Sequence, residues 1–78
     1  MRKRILFVES ENKCRSLGLL DGFGEWECQF DGRKYFRKHS DFFREFDLVV
    51  ATNYSSSISN LVCCKCQSAD VPTLFFSD

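Results

Sequence analysis

Three short runs of apolar residues divide the chain, and polar residues bound each of them. The runs are 5–8, 48–51 and 73–76. Uninterrupted apolar runs of this length are typical of strands that are covered on both faces, as in parallel sheets. A fourth stretch, 25–30, alternates instead, with Trp26, Cys28 and Phe30 on one face and polar residues on the other. This alternation predicts an edge strand with one face in solvent.

The segments between these strands carry apolar residues at helical spacing. We predict helices over 11–20, 33–46 and 55–69. The first of them is expected to end at the turn that holds Gly22 and Gly24. The second would carry an aromatic stripe made of Tyr35, Phe36, His39, Phe42, Phe43 and Phe46. The third begins at a run of serines, 55–57, which are favoured N-caps.

This alternation of strands and helices predicts an α/β fold with a parallel sheet and right-handed crossovers. We expect a partial doubly wound, Rossmann-like sheet of about four mostly parallel strands with about three helices. Residues 1–78 form one small domain at this length. Because a doubly wound sheet usually continues with a further helix and strand, we expect the chain to be shorter than the full fold.

Charge and cysteine content narrow the functional classes. Eleven basic and eleven acidic residues give a net charge of zero, which argues against non-specific binding to nucleic acid or to a membrane surface. The apolar run after Arg2 to Arg4 has four residues, too few for a signal peptide and far fewer than a bilayer span needs. The five cysteines are an odd number, so we expect free thiols and a cytoplasmic or nuclear protein.

Ligands of open α/β sheets bind beyond the carboxyl ends of the strands. The loop after the first strand contains no glycine, and a phosphate cradle needs the close backbone approach that glycine permits, so we expect no nucleotide cofactor. Glu9 and Asn53 follow the first and third strands and are the candidate ligand-binding side chains. Glu9 suits a ribose hydroxyl or, with Glu11, a metal ion; an N-cap or a solvated acidic turn is the structural alternative.

The remaining chemistry-bearing residues favour structural roles. Cys63, Cys64 and Cys66 are scattered around a helix at about 100° per residue, which favours packing over a metal site or a reactive thiol. His39 lies on the aromatic stripe, away from the strand ends. The stripe itself favours the core, but Phe42, Phe43 and Phe46 are also the candidate partner-binding residues, since a small sheet has limited area to cover them.

Residues 25–78 resemble a segment of the activating enzymes for ubiquitin-like proteins, in particular the non-catalytic adenylation-like subunit that serves SUMO. The likeness rests on DFFREFD at 41–47 and LVVATN at 48–53, followed by the cysteine-bearing helix with CCKC at 63–66 and by VPTLFFSD at 71–78. In that family an edge strand and an FF-x-x-FD segment lead into a strand that ends in T or TN.

The resemblance implies a protein that cannot adenylate a substrate alone. The active half of the family carries Asp-Asn at the end of this strand, and the Asp binds magnesium, whereas Thr52 and Asn53 stand here. The chain would then be a non-catalytic fragment or isoform that pairs with the catalytic subunit. Residues 1–24 match the family poorly.

Two other classes fit the same pattern. A receiver-like domain also has acids after its first strand, here Glu9 and Glu11, but it needs a phosphorylatable Asp where Thr52 stands. The chain would then be a pseudo-receiver, an interaction module that works without phosphorylation. The second class is the N-terminal part of a two-domain glycosyltransferase, which would lack its donor-binding domain here.

Overall fold

A computed structural model describes residues 2–52 and 57–76. Its regular elements include four strands, two α-helices and two short 3₁₀-helices. The strands are β1 (Arg4–Phe7), β2 (Glu27–Gln29), β3 (Leu48–Ala51) and β4 (Thr73–Phe75). The helices are α1 (Glu11–Ser16), α2 (Ser57–Ser68) and the 3₁₀-helices η1 (Gly32–Tyr35) and η2 (Ser40–Glu45). The predicted α/β class with a parallel sheet is confirmed.

The four strands form one sheet in the order β2-β1-β3-β4, and all three pairings are parallel. This is the order of the flavodoxin-like doubly wound sheets, in which the third strand lies beside the first. The chain first moves from β1 to β2 on one side and then returns across β1 to β3 and β4. The direction of winding therefore reverses at β1, as predicted for a doubly wound fold.

Two apolar clusters cover the two faces of this sheet, because successive strand residues point to opposite sides. On one face Leu6 and Val49 pack against α2 and η2, through residues that include Phe43 and Val62. On the other face the cluster around Phe7 receives Cys14 from α1 and several half-buried aromatic residues. These are Phe23, Trp26 and Phe30, and the Phe30 ring stacks on Phe7 at 5.3 Å. Right-handed crossovers place the two sets of helices on opposite faces in this way.

The helix predicted over 33–46 is wrong: the segment forms η1 and η2 with a break between them. His39 has an extended backbone, with ψ of 153°, and its Nδ1 accepts a hydrogen bond from the Asp41 amide at 3.1 Å. The carbonyls of Phe36 and Lys38 accept from the ammonium of Lys65 instead of from amides further along the same helix. The His39 side chain, as the N-cap of η2, and Lys65 of α2 thus make hydrogen bonds in place of the backbone ladder that a continuous α-helix would have formed.

Two other predicted boundaries are too wide. The helix expected over 11–20 ends at Ser16, because Gly18 has a φ of +70° and the chain turns there, before Gly22 and Gly24. The strand expected over 25–30 is limited to Glu27–Gln29, since the amide of Trp26 donates to Phe23 in a turn. Its position at the sheet edge is as predicted, and Trp26, Cys28 and Phe30 share the packed face.

Candidate functional site

The candidate site lies at the carboxyl ends of β1 and β3. Ligands of open α/β sheets bind where the winding direction reverses, because the loops there leave toward opposite faces. In this chain α1 follows β1 on one face and α2 follows β3 on the other. The register pairs Phe7 with Val50, and its continuation by two residues places Glu9 level with Thr52. We call this place the β1–β3 crevice and define it by Glu9 and Thr52.

Glu9 supplies the charged group of the crevice. It follows a buried strand and is only 4% exposed, and its Oε1 is buried without a hydrogen-bond partner in the described part of the chain. The nearest cation is the Arg33 guanidinium, whose nitrogen lies 3.7 Å from Oε2. The Glu9 carbonyl accepts from the Asp31 amide at 2.9 Å, which ties this loop to the end of β2. The backbone of Glu9 is thus anchored, while one oxygen of its buried carboxylate has no hydrogen-bond partner in the described part of the chain.

Thr52 and Ser59 supply two hydroxyls. Thr52 follows β3 and is 2% exposed, and Ser59 lies in the first turn of α2 with no exposed surface. The Oγ1 of Thr52 and the Oγ of Ser59 are both buried and have no hydrogen-bond partner among residues 2–52 and 57–76. A hydroxyl both donates and accepts, so the Thr52 hydroxyl complements the Glu9 carboxylate beside it, which only accepts.

The predicted site residues are only partly brought together. Glu9 lies in the crevice as expected from its position after β1, whereas Asn53 lies outside the described residues, as do Ser55 and Ser56. Glu11 is exposed and pairs with Arg15 one helical turn on, so it faces away from a site shared with Glu9. The described residues contain no group of three His, Cys, Asp or Glu side chains placed to hold a metal ion.

Sequence reasoning did not select Arg33 or Ser59. Ser59 follows the serine run 55–57, and the pattern of that run predicts only N-caps. Arg33 is separated from Glu9 by a complete helix and a strand, so only the tertiary structure brings the two together.

The cysteines behave as packing residues. Cys63 and Cys66 lie on the buried side of α2, in the core, and Cys64 lies on the exposed side of the same helix. Burial raises the pKa of the Cys66 thiol to about 12 and that of Cys63 to about 11. Thiols with such pKa values are protonated at neutral pH and are poor nucleophiles or metal ligands.

The aromatic residues proposed as an interaction surface lie mainly inside the protein. Phe43 has no exposed surface and Phe46 is 3% exposed, and Phe42 is half-buried between them with its ring 5.2 Å from that of Phe43. The core position that the stripe favours is therefore confirmed for Phe43 and Phe46, and neither has the exposed surface that a partner contact would need. The physical reason is that both rings pack in one apolar cluster with Val49 of β3 and Val62 of α2.

Exposed apolar surface occurs elsewhere, at the edge of the sheet. Leu74, Phe75 and Phe76 are each more than two-fifths exposed along and just after β4. Leu74 pairs in register with the buried Val50 and so belongs to the face opposite α2. Ile58 and Leu61 are exposed to a similar degree on α2.

A surface cavity of about 670 Å³ lies near the amino ends of β1 and β2. It is lined by Arg2, Lys3, Gly24, Glu25 and Trp26, none of which belongs to the crevice. The cations there are exposed and already engaged, since Arg2 donates to the Glu25 carbonyl and Lys3 lies over the Trp26 ring. We place the candidate site at the β1–β3 crevice because its polar groups are buried and unpaired, which is costly unless something else binds them.

No family model, curated protein or solved structure matches this chain. No helix among the described residues is long and apolar enough to cross a bilayer. The crevice offers one carboxylate, which accepts hydrogen bonds, and one hydroxyl, which both donates and accepts them.

Proposed function

We propose that this chain is a non-catalytic α/β interaction module that acts by contact with a protein partner. The observation that carries the proposal is the register of Glu9 with Thr52 in a sheet of order β2-β1-β3-β4. A receiver domain has acids after its first strand and a phosphorylatable Asp at the end of the third. Glu9 stands at the first place and a buried threonine at the second, and a hydroxyl there cannot form an acyl phosphate.

The strand order supports this pseudo-receiver interpretation over a dinucleotide-binding one. In the classic dinucleotide-binding sheet the order is 3-2-1-4-5-6, so the third strand is separated from the first by the second. Here β3 hydrogen-bonds directly to β1, as in flavodoxin-like sheets. The absence of glycine from the first loop of the sequence agrees with a module that does not cradle a phosphate.

The partner surface that we propose is the apolar edge at β4. Leu74 and Phe76 are exposed at the rim of the sheet, and contiguous exposed apolar residues of this kind are typical of protein contact sites. This surface does not include Phe43 and Phe46, because both are buried in the cluster that α2 covers on the other face of the sheet.

A narrower form of the proposal identifies the partner. The likeness of residues 25–78 to the non-catalytic adenylation-like subunit of SUMO-type activating enzymes suggests a fragment or isoform that binds the catalytic subunit. The order β2-β1-β3-β4 gives this narrower form no support of its own, so it depends on the sequence likeness alone.

The experiment that tests the proposal is an amide NMR spectrum of the whole chain, alone and with the catalytic SUMO-activating subunit, beside sedimentation of the chain alone. The variant is Leu74→Ser, and the matched control is Leu17→Ser, whose side chain is about equally exposed but lies after α1. We expect either that the catalytic subunit broadens the amide signals of the chain or that the chain alone sediments as an oligomer. L74S should abolish whichever effect is seen, and L17S should retain it.

Three outcomes separate the alternatives. Broadening by the catalytic subunit that depends on Leu74 supports the activating-enzyme form. Self-association that depends on Leu74, without binding to that subunit, supports the pseudo-receiver form. A monomer that neither associates nor binds, or contacts that L74S and L17S weaken equally, would contradict the proposed β4 surface.

A further inference from the structure

The charged residues of the chain are unevenly distributed along it. Segment 32–40 holds four Lys or Arg residues and α2 holds Lys65, so these two stretches carry five of the eleven basic residues and none of the eleven acidic ones. In the folded chain α2 packs against η1, which opens this segment. The two stretches therefore form one positively charged region in a protein whose net charge is zero.

Two of the five cations in this region are already engaged. The Arg33 guanidinium lies 3.7 Å from the Glu9 carboxylate. The Lys65 ammonium donates to two backbone carbonyls, of residues 36 and 38, in the link between η1 and η2. This bridge also fixes the orientation of the helix, because it turns the side of α2 that bears Lys65 toward the link.

The other three cations, Lys34, Arg37 and Lys38, have no acidic partner. All three residues are exposed, and no carboxylate of residues 2–52 and 57–76 forms an ion pair with them. Each cation lies 5.2–5.4 Å from the centre of one aromatic ring, and the rings are Tyr35, Phe36 and Phe42. A ring orients a cation but does not cancel its charge, so these three side chains can pair with carboxylates of another molecule.

Two exposed apolar side chains lie on the side of α2 that carries Lys65. Leu61 precedes Lys65 by four residues and Ile58 precedes it by seven, so the three residues share one face of the helix. Ile58 is 41% exposed and Leu61 is 43% exposed, whereas Val62 next to them is fully buried. Because Lys65 reaches the link, this apolar stripe borders the three unpaired cations.

We infer that Lys34, Arg37, Lys38, Ile58 and Leu61 form a docking surface for an acidic amphipathic segment of a protein partner. The carboxylates of the segment pair with the three cations, which gives the contact its charge complementarity. Apolar side chains at helical spacing cover Ile58 and Leu61, as when an amphipathic helix lies in a groove. The β4 surface proposed above is on the opposite face of the sheet from α2, so this inference does not depend on it.

The same residues favour a protein segment over two other anionic partners. Single-stranded nucleic acid stacks its bases on open aromatic faces, whereas the Tyr35 and Phe36 rings are half-buried and each has a cation over it. A surface that inserts into a membrane presents a broad apolar face, whereas this one exposes two aliphatic side chains among its described residues.

The test is an amide NMR titration of the whole chain with a synthetic Leu/Glu peptide, in which Leu recurs at every third or fourth position and Glu and Gln fill the others. A second peptide with Ser in place of Leu isolates the contribution of charge. Oligo-dT and vesicles that contain phosphatidylserine are the competing probes. We expect the Leu/Glu peptide to shift the amides of residues 34–38 and 58–65 more than any other probe does, and added salt to weaken its binding.

Leu61→Ser and Arg37→Glu should each weaken binding of the Leu/Glu peptide about tenfold. The matched controls are Leu17→Ser, which is about equally exposed, and Arg2→Glu, an exposed cation before β1. Both controls should bind as the native chain does, and so should Leu74→Ser, which separates this surface from β4. An absence of shifts with the Leu/Glu peptide, equal shifts with the Ser peptide, tighter binding of oligo-dT or vesicles, or equal weakening by variants and controls would overturn the inference.

Discussion

The ammonium of Lys65 donates to the backbone carbonyls of Phe36 and Lys38, at 2.5 and 2.7 Å. Lys65 lies on α2, and the two carbonyls lie in the link between η1 and η2, so one side chain joins elements that are almost thirty residues apart in sequence. The link has no α-helical ladder, and this cation supplies the hydrogen bonds that such a ladder would have provided.

Replacement of Lys65 by Met should therefore lower the stability of the fold. We expect a loss of about 2 kcal/mol in the free energy of unfolding, since hydrogen bonds to charged groups are worth about 1.5–3 kcal/mol and Met retains the aliphatic contacts. Urea unfolding followed by circular dichroism measures it. Gln67→Met, an exposed position on the same helix, is the control; an equal loss in both variants would show that the bridge contributes nothing specific.

A side chain at Gly32 is expected to destabilise the fold. A Cβ at this position would lie 3.0–3.2 Å from three carbons of the buried Leu6 side chain, whereas a Cβ at Gly24 would meet nothing within 4 Å. Overpacking of a well-packed core typically costs about 1–3 kcal/mol, so Gly32→Ala should lower the free energy of unfolding by this amount and Gly24→Ala should leave it nearly unchanged. A G32A protein as stable as G24A would mean that Leu6 can move aside freely.

Asp70 ends α2 with two unfavourable features at one position. Its φ is +59°, and its negative charge follows the last turn of a helix, where the carbonyl dipoles are also negative. Asp70→Asn keeps a residue that accepts this conformation and removes the charge, so we expect a gain of about 0.5 kcal/mol in thermal unfolding experiments at low salt. Asp31→Asn is the comparison, since Asp31 has nearly the same φ but precedes a helix; an equal gain there would exclude the helix dipole as the cause.

The stability of the fold should fall at alkaline pH because of its buried thiols. Burial raises the pKa of Cys66 from 9.0 to about 12 and that of Cys63 from 9.0 to about 11. The folded state therefore holds these protons more tightly than the unfolded state does. The resulting stability is fully present below pH 9 and is lost as the pH rises from 9 toward 11 and beyond.

Urea unfolding at a series of pH values between 8 and about 11 tests this linkage. We expect Cys66→Ala to reduce the slope of the free energy of unfolding against pH, apart from any constant loss caused by the smaller side chain. Cys64→Ser, at the exposed neighbour, should leave the slope unchanged. Identical slopes in the native chain and in C66A would show that other groups cause the alkaline loss.

Alkylation at neutral pH should distinguish the cysteines by exposure. Cys64 is exposed and Cys28 is half-buried, whereas Cys14, Cys63 and Cys66 are buried. We expect iodoacetamide to modify Cys64 first and the buried thiols only after urea is added, because a protonated, shielded thiol reacts slowly. Peptide mass spectrometry over time measures the order. Early modification of Cys66 would contradict the packing role assigned to it.

The positions of the strands and of the last helix could be predicted because their signals are local. The expectation that the run 73–76 is covered on both faces is wrong, however, because β4 lies at the edge of the sheet with its apolar side chains exposed. The apolar run at 48–51 coincides with β3, and the helix predicted over 55–69 contains α2. The candidate site could be predicted only as far as Glu9, whose place after the first strand follows from the pattern itself. Ser59 could not be selected because only its complete burial distinguishes it from the other serines of this region. Arg33 could not be selected because only the folded chain brings its guanidinium within 3.7 Å of the Glu9 carboxylate.

Hydrophobic periodicity records which faces of an element are buried, and from it alone the α/β class, the parallel strands and the edge position of β2 could be predicted. The order β2-β1-β3-β4 could not, because the direction of a crossover leaves no trace in the local pattern and is seen only in the folded chain. The tertiary structure also decided that 33–46 forms two 3₁₀-helices, through the Lys65 bridge, and that Phe43 and Phe46 are buried. These outcomes depend on contacts between residues distant in sequence, and such contacts exist only once the chain has folded.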